Sequence, residues 1–176
     1  MTRAGFRIIY LIPLSVFLFS FVLDDSPAVV SGNHLFKIGR SRDANEIFYD
    51  LNLRPDGKPD VINPIRIYWL KHTENGKTEP LTTVQRKLAY GIRVISFSDD
   101  KVDFQFVSYS GRTFSIRKTK EHGYRVLTNL RNQEVEVNRI FIQFDGGTYW
   151  FPSIASVDLY GTGQANGSLI IEKVHP

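Results

Sequence analysis

The chain has 176 residues, of which 42% are hydrophobic and 23% charged, a balance typical of globular proteins that excludes an intrinsically disordered chain. It carries 22 Lys and Arg against 18 Asp and Glu, and because the basic residues are scattered, the sequence excludes the clustered basic stripe of a nucleic-acid-binding protein. Cysteine is absent, which excludes disulfides, thiolate metal sites and a cysteine nucleophile.

Residues 1–28 are predicted to be a signal peptide. Arg3 and Arg7 precede an apolar stretch that is shorter than the ~20 residues of a membrane-spanning helix. Ser26 and Ala28 place small residues at the two positions that signal peptidase inspects, so we expect cleavage after Ala28. The alternative is an uncleaved N-terminal anchor, and only in that case do we expect contact with a membrane. Either way, the rest of the chain is expected to be extracytoplasmic, in the periplasm, in the cell envelope or secreted.

Residues 29–176 are expected to form a single β-rich domain, because no low-complexity linker or internal repeat divides them. Two strands are predicted first, at residues 34–39 and 45–53, joined by a polar loop. A third strand, residues 63–70, is entered through a proline, where the missing N–H does least harm. Its alternation predicts a core face and an opposite face, formed respectively by Ile65, Ile67 and Trp69 and by Arg66, Tyr68 and Leu70.

One short helix is predicted after the third strand. Thr82 or Thr83 is a suitable N-cap, and Gly91 is a suitable end. Val84, Leu88 and Ala89 form an apolar stripe along it. Because a helix of about two turns does not stand alone in water, we expect this stripe to pack on the sheet.

From residue 92 onward the sequence is typical of consecutive β-hairpins. The predicted strands are residues 92–98, 101–109, 112–118, 124–130, 134–144, 148–151, 154–161 and 168–174, and Ser110-Gly111 is one of the predicted turns. Between Val137 and Ile140 the apolar parity changes, which predicts a β-bulge at Asn138-Arg139. The predicted fold class is all-β: an antiparallel, hairpin-rich sheet, either a barrel-like meander or a β-sandwich, with one short α-helix.

Five residues around the third strand are candidate ligand-binding residues. Arg40 and Arg42, two arginines in one polar loop, suit a carboxylate or phosphate. Asn45 offers an amide, and Tyr68 and Tyr90 offer flat surfaces for a sugar or another planar ligand. In the alternative interpretation the arginines and the asparagine fix the loop to backbone carbonyls, and the tyrosines lie in the core.

Motifs of catalysis are missing from the sequence, which has no G-x-S-x-G elbow, no Walker loop and no H-E-x-x-H. The four histidines lie far apart, and none has the spacing of a metal ligand, so we predict no metal and no cofactor. A hydrolase would have Asp50, Glu46 or His72 as its acid or base. Solvent-facing positions on strands and loops explain these residues more simply.

A set of short motifs resembles the domain-of-unknown-function family 4833, a family of secreted bacterial proteins. The motifs are Lys37-Ile38-Gly39-Arg40-Ser41, Asn45, Tyr49-Asp50, Asn63-Pro64, Tyr68-Trp69, Leu81, Gln85 and Ala89-Tyr90-Gly91. The resemblance covers nearly the whole predicted mature chain and is strongest over residues 37–91. It implies an extracytoplasmic β-rich domain, and it carries over no reaction and no catalytic residues.

These observations favour a non-enzymatic binding or envelope-associated module that is secreted or periplasmic. The expected partner is a small anionic or sugar-like ligand, or a protein of the envelope. Two alternatives stay open: a small hydrolase-type enzyme that uses Asp50, Glu46 or His72, and a structural subunit that docks through a sheet edge.

Overall fold

The computed structural model describes residues 32–119, 123–148, 152–165 and 167–176, so the predicted signal peptide lies outside the described residues. These residues form one α-helix, α1 (Thr83–Leu88), one 3-10 helix (His72–Glu74) and eleven strands. The strands are β1 His34–Arg40, β2 Asp43–Leu51, β3 Ile65–Lys71, β4 Lys77–Pro80, β5 Ile92–Phe97, β6 Lys101–Phe106, β7 Tyr109–Thr119, β8 Gly123–Leu130, β9 Gln133–Gly147, β10 Pro152–Gly163 and β11 Leu169–Val174. No helix in this part of the chain is long and apolar enough to cross a membrane.

The long strand β9 organises the sheet, because three other strands pair with it. One edge of β9 is covered along its length by β10, which in turn pairs with β11. The other edge is shared: β8 pairs antiparallel with residues 133–136, and β1 pairs parallel with residues 139–142. The sheet therefore divides at β9 into a first branch, β1-β2-β3-β4, and a second branch, β8-β7-β6-β5.

The predicted bulge lies at the point where the sheet divides. Tyr160 of β10 pairs with Arg139, but the next residue, Gly161, pairs with Val137, which leaves Asn138 as the extra residue of β9. The two strands approach so closely here that a Cβ on Gly161 would lie 2.7 Å from the side chain of Val135. A bulge increases the local twist of a sheet, and here it allows the two branches to curl toward each other.

The main core lies between the two branches. Phe36 and Tyr49 come from the first branch, and Phe104 and Phe106 come from the second. The ring of Phe106 meets those of Phe36 and Tyr49 edge-on, with centroids 6.0 and 5.8 Å apart, an arrangement that aromatic pairs prefer. The result is a curled, half-barrel sheet, and the predicted all-β class with one short helix is confirmed.

The predicted faces of the third strand are confirmed, with one refinement. The side chains of Ile65, Ile67 and Trp69 are buried in the main core. On the opposite face, Tyr68 and Leu70 pack with Phe48 of β2 into a small second cluster. Only Arg66 on this face of β3 is exposed, so the opposite face is partly apolar.

The helix begins as predicted, but it ends at Leu88 with Ala89 as its C-cap, before the predicted Gly91, and its predicted packing is wrong. Thr82 caps α1, and its Oγ1 accepts a hydrogen bond of 3.2 Å from the backbone N–H of Gln85, whose side chain accepts in return from the N–H of Thr82. Val84 and Leu88, however, are 65% and 72% exposed. The helix is held by its capping box and by a 3.3 Å hydrogen bond from Trp69 Nε1 to the side chain of Gln85.

The turn between β6 and β7 also differs from the prediction. The chain turns at Val107-Ser108, three residues before the predicted Ser110-Gly111. The reason is a contact distant in sequence: Ser108 Oγ donates to the carbonyl of Ala89 at 2.6 Å, and the Val107 N–H donates to the carbonyl of Gly91 at 2.9 Å. The predicted short strand 148–151 lies mostly outside the described residues.

Candidate functional site

An apolar cavity of about 530 Å³ opens beside the C-terminal half of β9. Two strands supply one wall, β9 with Ile140, Ile142 and Phe144 and β10 with Ile154, Val157 and Leu159. On β9 these residues alternate, as expected for one face of a strand. On β10 the spacing from Ile154 to Val157 is odd, and an irregular register on both sides of Ile154 brings both side chains to the same wall.

The facing wall comes from the second branch and from the residues that end α1. These lining residues include Phe106 and Tyr109 from the second branch and Leu88 and Tyr90 from the end of the helix. Three apolar side chains at the mouth are well exposed, Leu88 at 72%, Ile154 at 40% and Tyr109 at 37%. The exposed Leu88 therefore faces a cavity, while Val84 on the same helix does not line it.

Two of the predicted binding residues, Arg40 and Tyr90, meet at the wall of this cavity. Tyr90 lines the cavity, and its hydroxyl accepts a hydrogen bond of 3.2 Å from Arg40 Nη1. The guanidinium of Arg40 lies 4.4 Å from the ring centroid of Trp69 and also forms an ion pair with Asp43. Arg40 is thus fixed behind the wall, and its charge is already paired.

Arg42 lies at the rim of the cavity. Its guanidinium is 5.9 Å from the ring centroid of Phe144, which lines the cavity, and the residue is exposed. The turn that carries it is fixed to β9 by two hydrogen bonds of 3.0 Å: the Ser41 N–H donates to the carbonyl of Ile142, and the Phe144 N–H donates to Ser41 Oγ.

The other two predicted binding residues lie elsewhere. Asn45 Oδ1 accepts a hydrogen bond of 3.3 Å from Thr73 Oγ1, in the 3-10 helix. Tyr68 is on the opposite face of the first branch and lines a separate groove of about 470 Å³ together with Arg66. Arg40 and Tyr90 are therefore in contact at the cavity and Arg42 lies beside its Phe144, whereas Asn45 and Tyr68 do not share this site.

Asp50 is buried in a hydrogen-bonded group on that opposite face. Tyr68 Oη donates to it at 2.7 Å, and His34 Nδ1 lies 2.9 Å from its other carboxylate oxygen. Burial, followed by the hydrogen bond and charge of Asp50, raises the pKa of Tyr68 to about 12. This tyrosine is protonated at neutral pH and serves as a donor to a buried carboxylate.

Glu46 and His72 form a second polar group nearby. Glu46 accepts a hydrogen bond of 2.9 Å from Lys37 and lies 3.1 Å from His72 Nε2. Burial alone would raise the pKa of Glu46, but the hydrogen bonds and charges of Lys37 and His72 lower it on balance. Neither this pair nor Asp50 lines the apolar cavity. Among the described residues, no three His, Asp or Glu side chains converge as a metal site would require.

The outermost strand of the second branch, β5, exposes Val94 and Ile95. Unpaired backbone groups of such a strand are a template for pairing with another chain. Here the register with β6 is interrupted between Val94 and Ser96. A bulge in an edge strand twists it away from potential partners, so this edge is poorly shaped for docking.

Sequence reasoning missed the cavity residues of β9 and β10. A signal for β9 was present, because Ile140, Ile142 and Phe144 alternate within the predicted strand 134–144. For β10 the odd spacing of Ile154 and Val157 concealed the shared face. The other lining residues are brought to the cavity by the division of the sheet at β9. No local sequence pattern predicts that division.

Comparison with known proteins gives one match. The model of the family described as "Domain of unknown function (DUF4833)" matches residues 36–173, which confirms the resemblance seen in the sequence. No curated protein and no solved structure matches the chain.

Proposed function

The chain belongs to the DUF4833 family of domains of unknown function, and we propose that it is an extracytoplasmic, non-enzymatic module that binds an apolar ligand in the cavity beside β9. The cavity of about 530 Å³ has the size of small-molecule sites, which are typically ~300–1,000 Å³. Its walls are mainly aliphatic and aromatic, as in most such sites. Burial of apolar surface would contribute most of the free energy of ligand binding there.

The observation that carries the proposal is the exposed apolar mouth. Leu88, Tyr109 and Ile154 leave apolar surface in water at the entrance of a cavity whose walls are also apolar. Covering a leucine side chain completely is worth ~1.5–3 kcal/mol. A ligand that covers these three side chains would recover a part of that free energy at each of them.

The proposed extracytoplasmic location is supported by the predicted signal peptide at residues 1–28. Cell fractionation and sequencing of the mature N-terminus test it, with Val29 or a close neighbour as the expected first residue. Full-length protein in the cytoplasm would contradict it.

A binding role explains the polar groups better than an enzymatic one. Asp50 is buried by His34 and Tyr68, and Glu46 is held by Lys37 and His72. Glu46 and His72 thus contact each other, whereas Asp50 bonds to His34 and Tyr68, and both groups lie apart from the apolar cavity. The interrupted register of β5 makes docking through that edge the weaker alternative.

The test uses the uncharged fluorescent probe N-phenyl-1-naphthylamine and two variants of the same helix. We expect saturable fluorescence enhancement with the wild-type protein. Leu88→Gln should weaken binding about fivefold, the equivalent of losing ~1 kcal/mol of apolar burial. Val84→Gln is the matched control, since Val84 is similarly exposed but does not line the cavity, and it should bind as the wild type does. No saturable binding, or an equal loss in both variants, would contradict the proposal.

A further inference from the structure

Resting on the proposed function, we propose that the ligand is a single-chain anionic amphiphile, whose chain enters the apolar cavity and whose head binds Arg42. The cavity supplies the apolar half of such a site, and the guanidinium over Phe144 supplies the charged half. Amphiphiles of this class include long-chain carboxylates. The polar loop that carries Arg42 and the apolar cavity then form one binding site.

The position of Arg42 relative to the cavity is fixed by the backbone. Ser41, its neighbour in the turn, forms two hydrogen bonds with β9: its N–H donates to the carbonyl of Ile142, and its Oγ accepts from the N–H of Phe144. Both Ile142 and Phe144 line the cavity. A head group at Arg42 is therefore adjacent to the opening through which its chain would enter.

Arg42 is a cation at this rim whose charge is not paired within the described residues. Its neighbour Arg40 is ion-paired with Asp43 and bonded to Tyr90, whereas no carboxylate within the described ranges forms an ion pair with Arg42. Asp145 follows Phe144 at an irregular point in the register of β9 with β10, and it forms no ion pair with Arg42 in the described part of the chain. His175 also lines the cavity, and its Nδ1 lies 2.9 Å from the carbonyl oxygen of Ala155.

The cation–π contact of Arg42 with Phe144 leaves its N–H donors free. A guanidinium that lies over an aromatic ring is supported through its planar face, whereas its N–H donors project from its edge, where they match both oxygens of a carboxylate. The ring of Phe144 would thus orient the fork of donors at the boundary between the apolar cavity and water.

The experiment compares decanoate with 1-decanol, an anionic and an uncharged ligand with chains of the same length, as competitors of N-phenyl-1-naphthylamine. Arg42→Gln should weaken decanoate two- to fivefold, the effect of losing an exposed ion pair, and should leave decanol unchanged. Arg66→Gln is the matched control, because Arg66 is also exposed and also contacts an aromatic ring, with its guanidinium 4.5 Å from the ring centroid of Tyr68, but lies at the other groove.

The outcomes separate this inference from the function on which it rests. If decanol and the probe compete and Arg42→Gln alone weakens decanoate, the head-group assignment is supported. If both competitors bind but decanoate is unaffected by Arg42→Gln, or equally weakened by Arg66→Gln, the assignment to Arg42 is wrong while the cavity stands. If the probe itself does not bind, so that no displacement can be measured, the proposed function fails first.

Discussion

Gly91→Ala is expected to destabilise the protein at the junction between α1 and β5. A Cβ at this position would lie 1.8 Å from the carbonyl oxygen of Arg86, and real Cβ atoms essentially never come within 3.0 Å of such an atom. Because the obstructing atom is backbone, no side-chain rotation relieves the clash. Either the end of the helix or the start of β5 has to move.

The expected loss follows from three terms. Overpacking of this kind costs ~1–3 kcal/mol. Displacing α1 also weakens the hydrogen bond from Trp69 to Gln85, and such a bond contributes ~0.5–1.5 kcal/mol. Alanine offsets part of this by lowering the entropy of the unfolded chain, which stabilises by ~0.4–1 kcal/mol. The free energy of unfolding should therefore fall by about 2 kcal/mol.

Equilibrium unfolding in urea, followed by tryptophan fluorescence, measures this loss. Gly111→Ala is the control, since the nearest atom to its Cβ would be 3.5 Å away, an ordinary contact, and its effect should stay within about 0.5 kcal/mol. A Gly91→Ala variant as stable as the wild type would refute the reasoning, because the helix and β5 would then separate without measurable cost.

Two further substitutions test the cap and the buried tyrosine. Thr82→Ala should lower the free energy of unfolding in urea by about 1 kcal/mol, because its Oγ1 caps the N–H of Gln85. Tyr68→Phe should cost ~1–3 kcal/mol at neutral pH, because it removes the hydroxyl that donates a hydrogen bond of 2.7 Å to the buried carboxylate of Asp50. Since the pKa of Tyr68 is raised from 10.0 to about 12, its contribution is complete below pH 10 and is lost as the pH rises toward 12. The difference between wild type and Tyr68→Phe should then shrink by up to about 3 kcal/mol.

Each of these two predictions has a defined contrary outcome. Thr83→Ala, one residue further along in the helix, removes a hydroxyl that is not the N-cap and should be nearly neutral; equal losses at both threonines would remove the capping argument. For Tyr68, a difference that stays constant from pH 9 to pH 12 would show that the hydroxyl has the same pKa in the folded and unfolded chains.

Patterns local to one element were predictable from the sequence. Ile65, Ile67 and Trp69 alternate with period two, and the main core accepts all three. Thr82 and Gln85 have the spacing of a capping box, which the structure forms. The capping box forms within one segment, and the alternation of β3 is a property of one strand, so both patterns are local in the sequence.

Features that depend on distant partners were not predictable. The apolar stripe of α1 indicates that Leu88 requires an apolar neighbour, but the pattern does not say whether the protein or a ligand supplies it. The turn at Val107-Ser108 is set by hydrogen bonds to Ala89 and Gly91. Likewise, the approach of Arg42 to Phe144 requires β1 to lie beside β9, a pairing across about a hundred residues that no turn chemistry signals.

The bulge at Asn138 connects the core to the candidate site. Val135 and Val137 are fully buried before it, and Ile140 and Ile142 face the cavity after it. Their spacing is odd across the bulge, so in a regular strand the second pair would face away from the first. The extra residue turns both pairs to the same side, and it does so where β1 replaces β8 as the neighbour of β9. Asn138 therefore continues the apolar face of β9 from the main core into the wall of the cavity. This is why the cavity begins at the bulge.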